Sequence, residues 1–126
     1  MAHILVIDDY EALLFMVRAM LEVAGHEVTT AVDGMMGLEK AAERRPDLVL
    51  LDTDMPGLGG FAVCRRIKQA AGLEHVPVLM MTGRPGVGVF THAESAGARV
   101  MLIKPFTGER LLAEIAQALP SVPADK

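Results

Sequence analysis

The sequence predicts an α/β fold in which five parallel strands form a doubly wound sheet covered by five helices. Short apolar segments alternate along the chain with segments whose apolar residues recur at helical spacing. The predicted strands start at residues 3, 26, 47, 76 and 99, and these intervals of 21 to 29 residues leave room for helical crossovers. The 126 residues, 52% of them hydrophobic and 22% charged, suffice for one domain with an apolar core.

The first strand, first helix and second strand follow from changes in apolar spacing. His3–Asp8 is apolar up to its acidic end and is predicted to be a buried strand. From Glu11 onward, apolar side chains recur three and four residues apart, which predicts an amphipathic helix, and Gly25 provides its end. The segment His26–Ala31 is predicted to be the second strand.

The second helix, third strand and third helix are marked by the residues at their ends. Asp33 is a candidate N-cap for a helix that continues through Arg45, where Pro46 ends it. Asp47–Asp52 is apolar between two acidic ends, which is typical of a central parallel strand buried on both faces. The third helix is predicted over about Gly60–Ala71.

The last part of the chain contains two more strands and two more helices. Val76–Thr82 and Arg99–Ile103 are predicted to be the fourth and fifth strands, and Thr107 is a candidate N-cap for the fifth helix. The segment Arg84–Phe90 has a proline and two glycines where the fourth helix should begin, and each helical glycine costs about 1 kcal/mol. We therefore expect a short or mobile fourth helix, extending at most over about Val89–Ala96.

The composition is rich in methionine and poor in aromatic residues, with nine methionines, four phenylalanines, one tyrosine and no tryptophan. Two methionine pairs lie at a spacing typical of core positions, Met16 with Met20 and Met35 with Met36. We expect both pairs in the core, because flexible thioether side chains fill irregular space there.

Composition and charge argue against several classes of protein. Purely apolar runs such as Leu48–Leu51 are far shorter than a membrane span, and the N-terminus has no features of a signal peptide. A net charge of −4 without any run of Lys and Arg argues against nucleic acid as a direct partner. The single cysteine, Cys64, cannot form an internal disulfide and is consistent with a cytoplasmic protein.

Polar residues follow the predicted strands at the points where they end. Asp8 and Asp9 close the first strand, Asp52 closes the third, Thr82 closes the fourth, and Lys104 follows the fifth. The carboxyl ends of parallel strands lie at one edge of a sheet, where open α/β sheets bind their ligands. If the first and third strands are neighbours, these side chains meet in one crevice.

This set of side chains points to phosphoryl chemistry assisted by a metal ion. The carboxylates, with Asp54 as a fourth candidate, repel one another unless they share a proton or a cation, and an all-oxygen set suits Mg²⁺. Beside them, the hydroxyl of Thr82 and the ammonium of Lys104 could bind a phosphoryl group. Asp52, the acid that ends the most buried strand, is the natural nucleophile.

The order and placement of these residues resemble the receiver domain of two-component response regulators, in particular the single-domain, chemotaxis-regulator type. The resemblance covers about residues 3–119 and rests on four segments: Asp8-Asp9 after ILVI, Asp52 in LVLLDTDMPGLGG, Thr82-Gly83 after PVLMM, and Lys104-Pro105-Phe106. It implies the flavodoxin-like strand order 2-1-3-4-5. We expect a receiver domain over residues 1–119, a short tail over residues 120–126, and a complete protein rather than an excised module.

The resemblance implies that Asp52 accepts a phosphoryl group from a phosphohistidine. The donor would be a sensor histidine kinase or a histidine phosphotransfer protein. Mg²⁺ would be bound directly by Asp9 and Asp52, through water by Asp8, and by the backbone carbonyl of Asp54.

The same resemblance assigns the groups that contact the phosphoryl group. Thr82, Gly83 and Thr53 would bind it, and Lys104 would pair with one of its oxygens. The peptide bond between Lys104 and Pro105 is cis in this family.

One residue departs from the family pattern, because Met101 stands where the resemblance implies Tyr or Phe. In the family this ring turns inward as the threonine, here Thr82, moves toward the phosphoryl group. The ring thereby couples the site to the face of the fourth helix, fifth strand and fifth helix, where a downstream protein would bind. Without a ring, we expect the response to involve ordering of the fourth helix.

Asp54 and Arg84 flank the site and are expected to close over the phosphoryl group and slow its hydrolysis.

Three other functions are weighed against this interpretation. A binding module of the same fold would not be switched by phosphorylation. The triplet Asp52-Thr53-Asp54 suggests an aspartate-nucleophile phosphatase, but Met55-Pro56 follows it and the chain has no cap domain. Flavin-dependent electron transfer would need a phosphate-binding loop where Asp8-Asp9-Tyr10 stands. We expect a signalling protein that catalyses only its own phosphoryl transfer and dephosphorylation.

Overall fold

Five parallel strands form one sheet in the order β2-β1-β3-β4-β5, as predicted, in the computed structural model, which describes residues 1–119. The strands are β1 (His3–Ile7), β2 (Glu27–Ala31), β3 (Leu48–Asp52), β4 (Val78–Thr82) and β5 (Val100–Ile103). The helices are α1 (Glu11–Val23), α2 (Gly34–Glu43), α3 (Gly60–Gln69), α4 (Val87–Ala96) and α5 (Gly108–Ala118). The predicted tail lies outside the described residues.

Helices cover both faces of the sheet, so the domain has two apolar layers. All five side chains of β3 are buried, as its apolar run predicts, and they alternate between the layers. Leu48 and Leu50 pack with α1 and α5, whereas Val49 and Leu51 pack with α2, α3 and α4. Burial on both faces places the carboxyl end of β3 in the middle of the molecule.

Both predicted helix caps form as expected. The carboxylate of Asp33 accepts a hydrogen bond from the backbone N–H of Met36 at 2.8 Å. The hydroxyl of Thr107 accepts one from the N–H of Arg110 at 3.0 Å. These bonds satisfy N–H groups that have no partner within the helix and fix where α2 and α5 begin.

The fourth helix is longer than predicted and is corrected to Val87–Ala96, ten residues, as many as α2 and α3. It begins directly after Gly86 and keeps Gly88 in its first turn. Ala93 and Ala96 are buried against the layer of α3, and this burial offsets the conformational cost of the glycine. That α4 is mobile stays a prediction.

The methionine prediction is only partly correct, because Met16 and Met35 are about half exposed. Apolar residues occupy both sides of α1, so their spacing does not decide which side is buried. The sheet buries the side that carries Leu14, Val17 and Leu21. On α2 the buried positions are small, and a side chain at Gly37 would overlap Ile7, so the helix lies close to the sheet and Met35 points outward.

Among residues 1–119, none of the helices combines the length and the apolar character needed to cross a membrane.

Candidate functional site

The strand register places the predicted site residues side by side at one edge of the sheet. Ile7 of β1 pairs with Leu51 of β3, so Asp8 and Asp52 follow neighbouring residues. Beyond β3 in the same sheet, where β4 and β5 end, the backbone N–H of Lys104 donates to the carbonyl of Thr82 at 2.7 Å. Residues 22 to 96 positions apart in the chain therefore meet because the strands are parallel and in register.

Three carboxylates form a cluster at this edge. One oxygen from each of Asp8, Asp9 and Asp52 lies within 4.8 Å of the other two. Asp8 is fully buried and Asp52 is 4% exposed, whereas Asp9 is open to solvent. The side chain of Asp54 is exposed and, among residues 1–119, stands outside this cluster. Only three of the four predicted carboxylates thus come together.

Lys104 bridges the two buried acids of this cluster. Its Nζ donates to Asp8 Oδ2 at 2.9 Å and to Asp52 Oδ1 at 3.0 Å. Burial alone would lower the pKa of the ammonium, but its bonds to the two carboxylates outweigh burial and raise the pKa of Lys104. Lys104 therefore remains charged and offsets part of the negative charge.

Asp52 keeps its proton more readily than an ordinary aspartate. Burial raises the pKa of its carboxyl from 3.8 to about 6, the bond from Lys104 acts against this, and the charges of Asp8 and Asp9 add to it. Near neutral pH the carboxylate is still mostly ionised and remains a competent nucleophile. With one ammonium beside three carboxylates, the cluster also keeps a net negative charge.

The cluster fits a hard divalent cation. All three side chains offer oxygen ligands, their oxygens lie close together, and exposed Asp9 leaves one side open to water. Mg²⁺ prefers carboxylate and water oxygens and supplies the positive charge that the cluster lacks. The residues present are therefore suited to this ion.

Thr82 lies beside the cluster with a hydroxyl proton available for a ligand. The residue is fully buried, and its Oγ1 accepts a hydrogen bond from the backbone N–H of Arg84 at 3.0 Å. Because this bond uses only the oxygen, the hydroxyl can still donate. Gly83 follows at the exposed rim.

The predicted pair of Asp54 and Arg84 does not form an ion pair within residues 1–119. Both side chains are exposed at the rim of the site.

Met101 is half-buried, packs against the layer of α3 and α4, and lines a cavity of about 280 Å³ with Phe90. The peptide bond between Lys104 and Pro105 is cis, as the resemblance implies.

Gly60 supports the site in a way that sequence reasoning missed. A Cβ atom at this first residue of α3 would overlap the carbonyl oxygen of Asp52 and lie 2.8 Å from the Cα of Thr53. Only glycine lets α3 start this close to the end of β3. The two consecutive glycines in Leu58-Gly59-Gly60 are the sequence feature that could have indicated this close contact, but they are equally typical of an ordinary turn.

Comparison with known proteins agrees with this geometry. The family model of the response regulator receiver domain matches residues 4–116. Protein PilH of Pseudomonas aeruginosa is 37% identical over 115 residues, which cover 91% of this chain and 95% of PilH. The response regulator PleD of Caulobacter vibrioides is 40% identical over 114 residues, 90% of this chain, but the chain spans only 25% of PleD.

A solved structure shows the same fold at similar length. The chemotaxis protein CheY4 of Vibrio cholerae superposes with a TM-score of 0.91 at 34% sequence identity, covering 94% of this chain and 99% of that one. Strand order, the acid cluster at the strand ends and the match over nearly the whole chain agree with one another. The chain belongs to the family of receiver domains of two-component response regulators.

Proposed function

We propose that Asp52 accepts a phosphoryl group and that its phosphorylation changes how this domain binds a partner protein. The observation that carries the proposal is the pairing of buried Asp52 with Lys104 at 3.0 Å, beside Asp8 and Asp9. A nucleophilic carboxylate, a cation and a group of metal-binding oxygens thereby share one crevice. The relative PleD is a response regulator and the chain belongs to the receiver-domain family, which supports the proposal.

The transfer is a displacement at phosphorus. An oxygen of Asp52 forms a bond to the phosphorus of a phosphohistidine as the phosphorus–nitrogen bond breaks. The electron pair of that bond returns to the imidazole nitrogen, which takes up a proton. Lys104 pairs with one phosphoryl oxygen, and Thr82, Gly83 and Thr53 donate hydrogen bonds to the group.

Mg²⁺ would be held by Asp9 and Asp52, by Asp8 through water, and by the backbone carbonyl of Asp54. When bound, the ion supplies positive charge to the phosphoryl oxygens. The side chains orient the nucleophile and exclude water: Lys104 keeps Asp52 oriented, and the buried residues around the site limit access of water.

The partners follow from this chemistry. A sensor histidine kinase or a histidine phosphotransfer protein would donate the phosphoryl group in the cytoplasm. We assign residues 1–119 as the receiver, whose output is protein–protein contact or relay, without direct binding of nucleic acid. The downstream protein would bind the face of α4, β5 and α5. The domain catalyses only its own phosphoryl transfer and dephosphorylation.

The output depends on α4 rather than on an aromatic ring. Met101 lacks the ring, and α4 is held by two buried alanines while its Val87 is 83% exposed. Phosphorylation would order α4 through Thr82, whose oxygen already bonds to the N–H of Arg84. Amide exchange over residues 84–97 should slow when a phosphoryl mimic binds, and equal exchange with and without it counts against this coupling.

The lifetime of the phosphoryl group would be set by Asp54 and Arg84 at the rim. Their opposite charges would bring them together over a phosphorylated Asp52 and hinder attacking water. Arg84→Ala should then lose its phosphoryl group faster than the wild type. An unchanged dephosphorylation rate removes this assignment.

A mass measurement tests the function itself. The protein is incubated with Mg²⁺ and a small acyl phosphate, and its intact mass is recorded; we expect a gain of one phosphoryl group. Asp52→Asn should gain none, whereas Asp33→Asn should behave like the wild type, because asparagine caps a helix as well as aspartate does. If the wild type gains no phosphoryl group from any donor, the proposed function is wrong, and a binding module of the same fold is the alternative that remains.

A further inference from the structure

Thr53 carries a buried hydroxyl that folding does not explain. Its Oγ1 is, within residues 1–119, the one buried side-chain nitrogen or oxygen without a hydrogen-bond partner, and the residue is 6% exposed. The other buried polar side chains of this part of the chain all have partners: His3, Asp8, Asp52 and Thr82. An unpaired buried hydroxyl lowers stability, and valine has nearly the same shape without that cost.

The backbone holds Thr53 in place from two sides. Its N–H donates to the carbonyl of Met81 in β4 at 2.9 Å, and its carbonyl accepts from the N–H of Gly60 at 3.4 Å. The start of α3 packs so closely that a Cβ at Gly60 would lie 2.8 Å from the Cα of Thr53. These contacts fix the backbone of Thr53, the residue that directly follows Asp52, at the carboxyl end of β3.

Phosphorylation would bring acceptors to this hydroxyl. A phosphoryl group on Asp52 adds three strong acceptor oxygens at the residue that directly precedes Thr53. Lys104 and Thr82 are positioned to serve some of them, and a third donor is available in Thr53.

We infer that the hydroxyl of Thr53 donates a hydrogen bond to a phosphoryl oxygen on Asp52 and is unsatisfied only before phosphorylation. Since the bond exists in one state alone, it stabilises the phosphorylated form relative to the unphosphorylated form. The inference rests on the proposed function and deepens it, because it makes Thr53 a residue that sets the balance between the two states.

The test compares Thr53→Val, which removes the hydroxyl, with Thr53→Ser, which keeps it. Urea unfolding without ligands measures stability, and titration with beryllofluoride in the presence of Mg²⁺ measures affinity for a phosphoryl mimic. Thr53→Val should be at least as stable as the wild type but bind the mimic at least about fivefold more weakly. Thr53→Ser should bind like the wild type, as should the control Thr30→Val on β2.

Opposite effects on stability and affinity are the signature of the inference. It is overturned if Thr53→Val binds the mimic as tightly as the wild type, or if stability and affinity fall together, since the hydroxyl would then serve the fold. Should Thr53→Val not fold, Thr53→Ala against Thr53→Ser makes the same comparison. Failure of the wild type to gain a phosphoryl group would instead remove the proposed function, so the two failures are distinguishable.

Discussion

At the scale of single residues, the site concentrates negative charge where burial makes it costly. Asp8 and Asp52 are almost completely buried, and Lys104 alone bridges them. A fold selected only for stability would place apolar side chains here. In the proposed function these charges serve as a nucleophile and as oxygen ligands, and the raised pKa of Asp52 reflects part of their cost.

Asp52→Asn should stabilise the protein near neutral pH in the absence of divalent ions. With a pKa of 3.8 in the unfolded chain and about 6 in the fold, Asp52 holds its proton more tightly when folded. The wild type therefore loses stability as the pH rises from about 4 to 6, by up to about 3 kcal/mol, and does not recover it above. Asparagine at position 52 does not titrate, so the variant does not have this pH-dependent loss of stability.

Urea unfolding of both proteins between pH 4 and 7 measures this effect. We expect the free energy of unfolding of Asp52→Asn to vary less over this range and to exceed that of the wild type at its upper end. A variant that is less stable than the wild type at neutral pH contradicts the prediction. Asp33→Asn is the control, because its helix cap is preserved.

At the scale of elements, the close contact between α3 and the end of β3 holds the site in shape. Gly59 and Gly60 are adjacent in sequence, yet an added Cβ meets nothing within 4 Å at Gly59 and overlaps the Asp52 carbonyl at Gly60. This difference provides a matched pair of substitutions that separates site geometry from the general effect of replacing glycine.

Gly60→Ala should impair both stability and phosphorylation. The added methyl group pushes α3 away from Asp52 and Thr53, and overpacking of this kind costs about 1–3 kcal/mol. The rate of phosphorylation by an acyl phosphate should fall further than the loss of folded protein explains, because Asp52 itself moves. Gly59→Ala should match the wild type in urea unfolding and in phosphorylation rate. Equal behaviour of the two variants would show that the close contact does not position Asp52.

At the scale of the whole molecule, the site joins the carboxyl ends of β1, β3 and β5 across the sheet. Lys104 lies 96 residues from Asp8 and 52 from Asp52, and it bonds to both. A cation at this point therefore stabilises contacts between strands that are far apart in the chain. A divalent ion bound at the cluster would contact the same carboxylates as the lysine, and the binding of the ion would then be thermodynamically coupled to the lysine.

Lys104→Met should make the stability of the protein more dependent on Mg²⁺. Without the ammonium, two buried carboxylates face each other, and we expect a loss of about 1–3 kcal/mol in the absence of the ion. Mg²⁺ should restore much of this loss, so that it raises the melting temperature of the variant more than that of the wild type.

Thermal unfolding with Mg²⁺ and with a chelator measures this coupling. Lys68→Met is the control, because Lys68 donates to the carbonyl of Val76 and takes no part in the acid cluster. An equal response of Lys104→Met and the wild type to Mg²⁺ would mean that the lysine and the ion act independently.

The sequence by itself determined the parts of this protein that depend on local pattern. Apolar runs with polar ends set the five strands, and Asp33 and Thr107 set the starts of two helices, because capping and periodicity involve residues a few positions apart. The same pattern failed where it was ambiguous, as for the exposed Met16 and for the start of α4, whose glycines are offset by tertiary burial.

Only the tertiary structure decided how the site residues act on one another. The bonds of Lys104, the contact of Gly60 with Asp52 and the unpaired hydroxyl of Thr53 join positions set by packing and register. The raised pKa of Asp52 arises from removal of water and from acids that lie outside its own strand. These properties depend on which groups surround a residue in the folded protein, and the order of residues along the chain does not state this directly.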